Sequence, residues 1–486
     1  MMNKKEPSTE DVTPDDFEPP EFAQERLSEE SREEAPPVQK GRMGLFRLIA
    51  IGNATGQSFL FNFFSAFAVN VGVSSSILGF ITSIRNLMSS LFQGSLGRLS
   101  DRIGRRFLLL LGFFLSFSIM IVLIFINNPL MLIIISIVQA TALSIIIPVW
   151  NATLGDVTKT EERARFIGRL SAMGTAVSVS SMLILATIFN YFDNHQGYIF
   201  KKWFLEFYIP EKLWPIEYGA AFGIAALNFL LCVVGVFFLK ETRLVNKKDK
   251  QKKQPSMFVA LKNEKFKRFF IVNSVFGLIM ATMWPIFPIA QVGVLEMGFT
   301  QIAIINVVFS ICSSLGQLIG GKLGDKFGRK PFIIYGRMVM FTIPIVMISA
   351  ILFNNWKVLL FSNILGGTGM GMTVVAQNAY ILDIAPRDQM GAYSGLNQVG
   401  WGIATFIGSL SVGFIADAIE NHVGTKQMII ITFSVIAVLR FLASIGYFFI
   451  EESLVKKQPE EQLLEKKALV IAVAQSACED AQFQSK

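Results

Sequence analysis

The sequence is poor in the residues from which metal, redox and catalytic centres are built. Its 486 residues include only two histidines and three cysteines. His195 and His422 fall in predicted loops, far from any cysteine or acidic cluster with ligand spacing, and Cys232 and Cys312 lie in apolar segments. A metal site needs several such ligands close together, and a disulfide framework needs paired cysteines. We therefore predict no metal ion, no cofactor and no disulfide framework.

Charged residues are also scarce, at 16% of the chain, whereas apolar residues reach 52%. A bilayer core about 30 Å thick requires about 20 apolar residues per helix, and the chain supplies twelve such runs. The strict alternation that is typical of barrel strands is absent, so we predict helices. The runs lie at 44–71, 76–99, 105–126, 129–154, 165–190, 218–239, 268–292, 300–322, 331–353, 357–381, 391–416 and 427–450.

The distribution of charge predicts how the chain lies in the bilayer. Residues 1–43 are acidic, contain proline and have few large apolar side chains, which predicts a disordered tail without a cleaved signal sequence. The segment from Lys240 to Arg268 holds eleven Lys and Arg against three acids. Because basic loops stay in the cytoplasm, we expect both termini there, in a plasma-membrane protein. The net charge of +8 then reports topology, and nucleic-acid binding is not expected.

The chain repeats itself. The phrase GRLSDRIGRR begins at Gly97, and GKLGDKFGRK begins at Gly321, 224 residues later. A second pair, NATLGDVTKTEERARFIG from Asn151 and NAYILDIAPRDQMGAYSG from Asn378, aligns without a gap at an offset of 227 residues. The two offsets are nearly equal, which indicates a duplicated unit of six spans.

A third pair of phrases shows where the halves differ in length. LKETR follows the sixth span and FIEES follows the twelfth, at an offset of about 210 residues. The first half therefore carries an insertion within 191–217, rich in Trp, Tyr, Phe and charge. This composition suits a helix or hairpin at the lipid interface, and a simple spacer is an equally good interpretation.

Six spans followed by six equivalents is a transporter layout. In these features the sequence resembles the major facilitator superfamily, whose signature between spans two and three reads G-x-L-x-D-x-x-G-R-[KR]. Both copies match it at every specified position. The resemblance covers residues 44 to 452 and implies an all-α membrane protein with twelve transmembrane helices in two pseudo-symmetric six-helix bundles. The expected domains are the tail 1–43, bundles 44–242 and 268–452, the basic linker 243–267 and the cytoplasmic tail 453–486.

The resemblance also implies a gate. Asp101 should face the start of span eleven and Asp325 the start of span five when the cytoplasmic side is shut, with Arg105 paired to Asp156 and Arg329 to Asp383. Ion pairs that form in one conformation and part in the other would make a two-state device. The predicted gating residues are Gly97, Asp101, Gly104, Arg105 and Asp156, repeated as Gly321, Asp325, Gly328, Arg329 and Asp383.

In this family spans one, four, seven and ten surround the central cavity, and their polar and aromatic residues are the candidates for binding a solute. The alternative interpretation is that Asn and Gln join helices and that aromatic rings fill the core. Our predicted solute-binding residues are Asn53, Gln57, Phe61, Arg85, Gln139, Trp150, Asn273, Trp284, Asn363 and Gln377.

Three of the arginines within the apolar spans are Arg85, Arg337 and Arg440. Arg85 lies near the midpoint of span two, where a charge costs roughly 2.5 to 3.5 kcal/mol, so it should face water, a partner or an anionic solute. Arg440 lies in span twelve, which the resemblance makes peripheral. Arg337 is close enough to a span end that we expect it to reach the interface.

Carboxylates are missing from the centres of spans one, four, seven and ten. Many proton-coupled members of the resembled family keep a carboxylate there, so its absence argues against coupling to protons. Sodium is the other candidate coupling ion. The glycine-proline pattern that the family's drug/proton antiporters carry in span five is absent as well, since that span contains no proline.

The sequence favours a secondary transporter that moves a small organic solute by alternating access, with multidrug-like export ahead of uptake of a nutrient or an organic anion. A nontransporting sensor or scaffold with the same fold is a second class. A membrane-embedded enzyme is disfavoured, because the spans hold no convergent set of His, acid and nucleophile.

Overall fold

The computed structural model describes residues 43–126, 128–157, 160–194, 216–241, 256–386 and 389–453. Within these ranges the regular structure is entirely helical, and long helices follow one another in chain order. They are α1 Met43–Asn70, α2 Ser75–Ile103, α3 Arg105–Leu123, α4 Pro129–Asp156, α5 Thr160–Asn194, α6 Ile216–Phe237, α7 Glu264–Val294, α8 Phe299–Phe327, α9 Lys330–Leu352, α10 Val358–Ile384, α11 Met390–Val423 and α12 Thr425–Phe449.

Each predicted span coincides with one of these helices. Ten helices in the described part, α3 to α12, are long and apolar enough to cross a membrane. Helices α1 and α2, at 28 and 29 residues, have the length to span but carry more polar residues. Residues 1–42, 195–215, 242–255 and 454–486, which include most of the predicted tails, insertion and linker, lie outside the described residues.

The helix pairs that pack together repeat between the two halves. In the first half α2 packs on α4 and α1 packs on α5 and α6, and in the second α8 packs on α10 and α7 packs on α11 and α12. Where α8 and α10 meet, small residues let the backbones touch: a Cβ added to Gly371 would lie 2.1 Å from the Ser313 carbonyl oxygen. The repeated phrases therefore correspond to a repeated arrangement of helices.

The two halves meet along α2 with α11 and α5 with α8, and α1 touches α7. Two helices are interrupted by proline. Helix α7 loses regular α-helix after Ala281 and continues through Pro285 into a wider π-turn segment at Ile289–Val294. Helix α9 is broken between Val339 and Thr342, just before Pro344. Both breaks lie beside the cavity described below.

Candidate solute-binding site

The turns at the signature phrases define one end of the bundle, which we call the signature end. Gly104 follows α2 with φ of +104°, and Gly328 follows α8 with φ of +102°. Residues other than glycine rarely adopt this backbone conformation, so both turns require glycine. The end of the bundle that carries the start of α2 and α8 is called the opposite end.

An ion pair lies behind each of these turns. Arg105 of α3 is buried and contacts Asp156 at the end of α4. In the second half the Arg329 Nε lies 3.2 Å from Asp383 and its Nη1 lies 2.6 Å from Asp325. Burial lowers the pKa of the Arg329 guanidinium, but the hydrogen bonds to the two aspartates raise it, and the net shift is upward. The structure thus brings together both predicted arginine–acid pairs, each within its own half.

A glutamate from the third repeated phrase completes each turn. Glu241 accepts hydrogen bonds from the backbone N–H groups of Arg105 and Arg106, at 3.0 and 3.1 Å. Glu452 does the same for Arg329 and Lys330, at 2.8 and 3.0 Å. A carboxylate at a helix N-terminus satisfies free N–H groups and complements the helix dipole. We did not predict this role, although the repetition of LKETR and FIEES pointed to it.

Hydrogen bonds join the two halves at the opposite end. The Ser76 N–H donates to Asp417 at 3.2 Å, which links the start of α2 to the end of α11. The Thr300 hydroxyl donates to the Ala186 carbonyl at 3.3 Å, which links α8 to α5. The opposite end is therefore held closed by contacts between helices of different halves.

An aromatic cluster seals the same end. The ring of Phe299, at the start of α8, stacks on Phe63 of α1 with 4.3 Å between centroids. Phe189 and Tyr218, also from the first half, meet it edge-on at 5.7 and 5.6 Å. Phe299 is only 5% exposed, so this side chain of the second half is buried in a pocket formed by aromatic rings of the first half.

At the signature end, the second signature phrase carries an exposed aspartate. The Asp325 side chain is 71% exposed, and the ion pair it makes is with Arg329 of its own half. Contacts of α2 with α11 run from Ser76 at least as far as Ser90, whose side chain lies beside Gly402. In the first signature phrase, the structure does not describe the side chains of Arg98 and Asp101. The gate expected at this end concerns its closed form and stays a prediction.

A cavity of about 370 Å³ lies between the halves. Helix α1 forms one wall, and α7, α8, α9, α10 and α12 form the rest, with the break in α7 at its centre. The volume falls within the range of small-molecule sites. Its aromatic lining consists of Phe61, Trp284, Phe287 and Phe309, and its polar lining of Asn62, Ser65, Gln291, Asn306, Ser362, Asn363 and Arg440.

Several amides of the lining have capacity to bind a solute. The side chains of Gln291 and Asn306 make no hydrogen bond with any described residue. The amide N–H groups of Asn62 and Asn363 donate within their own helices, to Ser58 and to the Leu359 carbonyl, so their side-chain oxygens stay available. Amide groups with open hydrogen-bonding positions can orient a polar group of a solute, while the rings bury its apolar body.

Arg440 lies in the same wall, and its hydrogen bonds explain why. Its two terminal nitrogens donate to the carbonyls of Met280, at 2.7 Å, and Met340, at 3.1 Å. The Met340 carbonyl would normally bond the N–H of residue 344, which is proline and has none. The Met280 carbonyl is free because the Trp284 N–H bonds Ala281 instead. Arg440 therefore satisfies the carbonyls left by both helix breaks, and our expectation of a peripheral position was wrong.

Of the ten predicted binding residues, the cavity brings together Phe61, Trp284 and Asn363. Arg85 and Gln139 line a separate recess of about 10 Å³, whose wall of Leu60 and Phe64 adjoins Phe61 along α1. Arg85 packs over the Phe61 ring at 5.2 Å from its centroid. The recess is thus next to the cavity rather than inside it.

The other predicted residues lie away from the cavity. Asn53 and Gln57 hydrogen-bond each other along α1 at 2.7 Å. Trp150 is buried, and its ring packs near that of Phe46 at 6.3 Å. These contacts match the interpretation of amides and rings as packing elements.

Asn273 and Gln377 serve Arg337 instead. The Arg337 guanidinium donates to the Gln377 side-chain oxygen at 2.6 Å and to that of Asn273 at 3.3 Å. The rings of Phe276, Trp401 and Tyr447 surround it at 4.6 to 5.6 Å. Arg337 is only 3% exposed, so the expectation that it reaches the interface was wrong. Aromatic faces and amide oxygens stabilise this charge within the second half.

Sequence reasoning missed Asn62, Ser65, Gln291 and Asn306. Helix α1 carries polar residues on two faces, and we followed only the one with Asn53 and Gln57. Gln291 and Asn306 were visible as single polar residues inside apolar runs, which is the available signal. Within the described ranges no group of three His, Cys, Asp or Glu side chains could hold a metal ion.

Comparison with known proteins follows this geometry. The family described as Major Facilitator Superfamily matches residues 48–292 and 269–477. Multidrug resistance protein MdtG of Salmonella paratyphi A is 28% identical over 201 residues, 40% of this chain and 45% of the relative. The minor myo-inositol transporter IolF of Bacillus subtilis is 28% identical over 182 residues, 37% of this chain and 40% of the relative. The matched segments span less than half of these relatives.

Two solved structures share the fold. The nucleoside transporter NupG superposes with a TM-score of 0.62 at 12% identity, over 84% of this chain and 99% of that one. A bacterial homologue of the human lysosomal transporter Spinster, inward-facing and occupied, gives 0.65 at 15% identity, over 85% and 97%.

Proposed function

This chain belongs to the major facilitator superfamily, and we propose that it carries a small organic solute across a membrane by alternating access. The observation that carries the proposal is the cavity of about 370 Å³ between two sets of helices that are joined at the opposite end. A solute held there is shielded at the opposite end, and its proposed route of entry is from the signature end. A rocking motion of the two halves would close the cavity to one side of the membrane and open it to the other.

We further propose that the signature end faces the cytoplasm of a plasma-membrane protein. The basic residues of Lys240–Arg268 and of the first signature phrase support this orientation. The six-helix bundles 44–242 and 268–452 are then the moving bodies. Asp101 and Asp325, with their neighbouring arginines, are proposed to join the halves when the cytoplasmic end closes.

Export of a lipophilic solute is the first candidate for direction. The aromatic lining of the cavity supports it, and among the relatives MdtG is named for multidrug resistance and NorA for quinolone resistance. Uptake of a nutrient or an organic anion is the second candidate. IolF is named for myo-inositol, and the arginines beside the cavity favour an anion.

Alternating access is tested by locking the opposite end. In a chain whose three natural cysteines are replaced by serine, Ala186→Cys and Thr300→Cys place one thiol in each half at the contact described above. Cross-linking them with a short bifunctional thiol reagent should reduce solute flux in proteoliposomes to below about a tenth, because the opposite end can no longer open. Reduction of a cleavable cross-link should restore the flux.

The matched control joins two helices of the same half. Met88→Cys and Ser144→Cys pair α2 with α4, where the Ser144 hydroxyl contacts the Met88 carbonyl. Cross-linking this pair should leave flux largely unchanged, since the halves can still rock. Undiminished flux through the Ala186–Thr300 cross-link would reject alternating access. Absence of flux for every solute of a broad panel would favour the sensor or scaffold.

A further inference from the structure

The charged residues inside the bundle are all of one sign. Seven or more residues from either helix end, α1 to α12 contain four arginines and no aspartate or glutamate. Arg85, Arg337 and Arg440 are buried or half-buried, and Arg169 is exposed. Charges of this kind in a membrane interior are normally paired or serve a solute or ion pathway. Here carbonyl, amide and aromatic groups take the place of carboxylates. The positive charge of the interior is therefore solvated but not neutralised.

Arg440 brings this charge to the wall of the cavity. Its terminal nitrogens are occupied by the carbonyls of Met280 and Met340, so the guanidinium is fixed in place. Among the described residues that line the cavity, none is acidic. Carbonyl groups carry no net charge, and at low dielectric the field of Arg440 extends to a solute several ångströms away. A cationic solute is repelled from this wall, and an anionic one is attracted.

Arg85 supplies a second positive group, on the first-half side. Its guanidinium lies over the ring of Phe61, which is 42% exposed and lines the cavity. Gln139 and Ser136 share its recess, and the buried Gln139 side-chain oxygen has no hydrogen-bond partner among the described residues. The described part of the chain gives Arg85 no carboxylate, in contrast to Arg105 and Arg329 at the signature end. Arg85 is the arginine whose donors are least committed.

We propose that the solute is an organic anion, with one acidic group directed to the Arg85 side and an apolar body between Phe61 and Trp284. The proposal rests on the function proposed above and names the substrate class of the same cavity. The free amides of Gln291 and Asn306 would bind further polar groups of the solute. Lipophilic cations are excluded by the fixed charge of Arg440.

The test uses three ligands with the same bicyclic body and different charge: 2-naphthoate, 2-naphthamide and 2-naphthylmethylammonium. Binding to the purified full-length chain is measured by titration calorimetry, with empty detergent micelles as the blank. We expect naphthoate to bind at least about tenfold more tightly than naphthamide, and the ammonium to bind more weakly than naphthamide. Equal or tighter binding of the ammonium or the amide, or no binding of naphthoate, overturns the proposal.

Variants of one arginine at a time locate the effect. Arg85→Gln should reduce the preference for naphthoate over naphthamide by at least about threefold, with Arg440 accounting for what remains, whereas Arg85→Lys should retain most of the preference. Arg169→Gln, which removes an exposed arginine from α5, is the matched control and should retain all of it. An unchanged preference in Arg85→Gln overturns the assignment of Arg85.

Failure of the anion proposal can be told apart from failure of the proposed transport. If naphthoate binds with the expected preference and no solute crosses the membrane, the anion site stands and the transporter is rejected. If a neutral or cationic solute is moved and the Ala186–Thr300 cross-link stops it, alternating access stands and the anion proposal is rejected.

Discussion

At the scale of a residue, Arg440 shows how a charge can be kept inside a membrane-spanning bundle. A charged side chain at the bilayer centre costs roughly 2.5 to 3.5 kcal/mol on the insertion scale. Arg440 offsets part of that cost by bonding two carbonyls, of Met280 and Met340, that their own helices leave free. It therefore stabilises the breaks in α7 and α9 while its charge stays beside the cavity.

Replacing Arg440 with methionine should destabilise the protein. Each buried carbonyl without a partner costs about 1–3 kcal/mol, so the two together cost about 2–6 kcal/mol. The charge that no longer has to be buried offsets part of this cost, and we expect a net loss of about 2 kcal/mol. Arg440→Lys should lose less. Thermal unfolding in detergent is measured by the reaction of the buried Cys232 with a thiol label, which requires the side chain to become accessible. Cys312 and Cys478 are replaced by serine in this chain.

Lys426→Met, on the exposed start of the same helix, is the control and should leave the midpoint nearly unchanged. An Arg440→Met variant that unfolds at the wild-type midpoint would contradict the role assigned to these hydrogen bonds.

At the scale of an element, the proline breaks decide which groups face the cavity. An uninterrupted α9 would use the N–H of residue 344 for the Met340 carbonyl, but Pro344 has none. The chain instead forms a tight turn, in which the N–H of Met340 bonds Arg337 and that of Phe341 bonds Met338. The freed carbonyl is what positions Arg440, so the break and the arginine should be energetically coupled.

This coupling predicts a non-additive double substitution. Pro344→Ala supplies the missing N–H, so Arg440→Met should cost about 1 kcal/mol less in that background than alone. The same Cys232 unfolding assay is applied to the wild type, the two single variants and the double variant. Pro129→Ala, at the first turn of α4 where no N–H is required, is the matched proline control and should show no coupling. Strict additivity for Pro344 would argue against this account.

At the scale of the whole molecule, the absence of central carboxylates bears on the driving force. Span α1 contains no acid, and α4, α7 and α10 have acids only at their ends, so no carboxylate lies near their centres. An anion moved without a coupled cation carries charge across the bilayer. Its flux should then follow the membrane potential and not the pH difference.

Proteoliposomes loaded with naphthoate test this expectation. With the potential clamped at zero by potassium and valinomycin, a proton gradient of about two pH units should change the initial rate less than about twofold. Setting a potential of about 100 mV, worth about 2.3 kcal/mol per charge, should change it several-fold. A rate that follows the pH difference at zero potential would show proton coupling through a group elsewhere in the chain.

Much of the fold could be predicted because its signals are local or repeated. The length of an apolar run decides whether a helix crosses the bilayer, and all twelve runs lie in helices. The resemblance implied the pairs Arg105–Asp156 and Arg329–Asp383, the repeated phrases supported them, and the structure brings these pairs together. In each case the determining residues are neighbours in the sequence or recur at one offset.

The cavity could be predicted only in part, because its lining depends on how each helix is rotated. In α1, Asn53 and Gln57 are not part of the cavity lining, although Phe61, one turn beyond Gln57, is, together with Asn62 and Ser65. An arginine in an apolar run gives no sign of its partner, so Arg337 and Arg440 were both misjudged.

The sequence by itself determined twelve membrane helices, their duplication and the charged turns that join them, because helix formation in lipid and turn geometry depend on adjacent residues. Only the tertiary structure decided which end of the bundle is closed, which amides line the cavity and what the three arginines contact. Those features arise where helices far apart in the chain pack together, and the rotation of each helix is set by all of its neighbours at once.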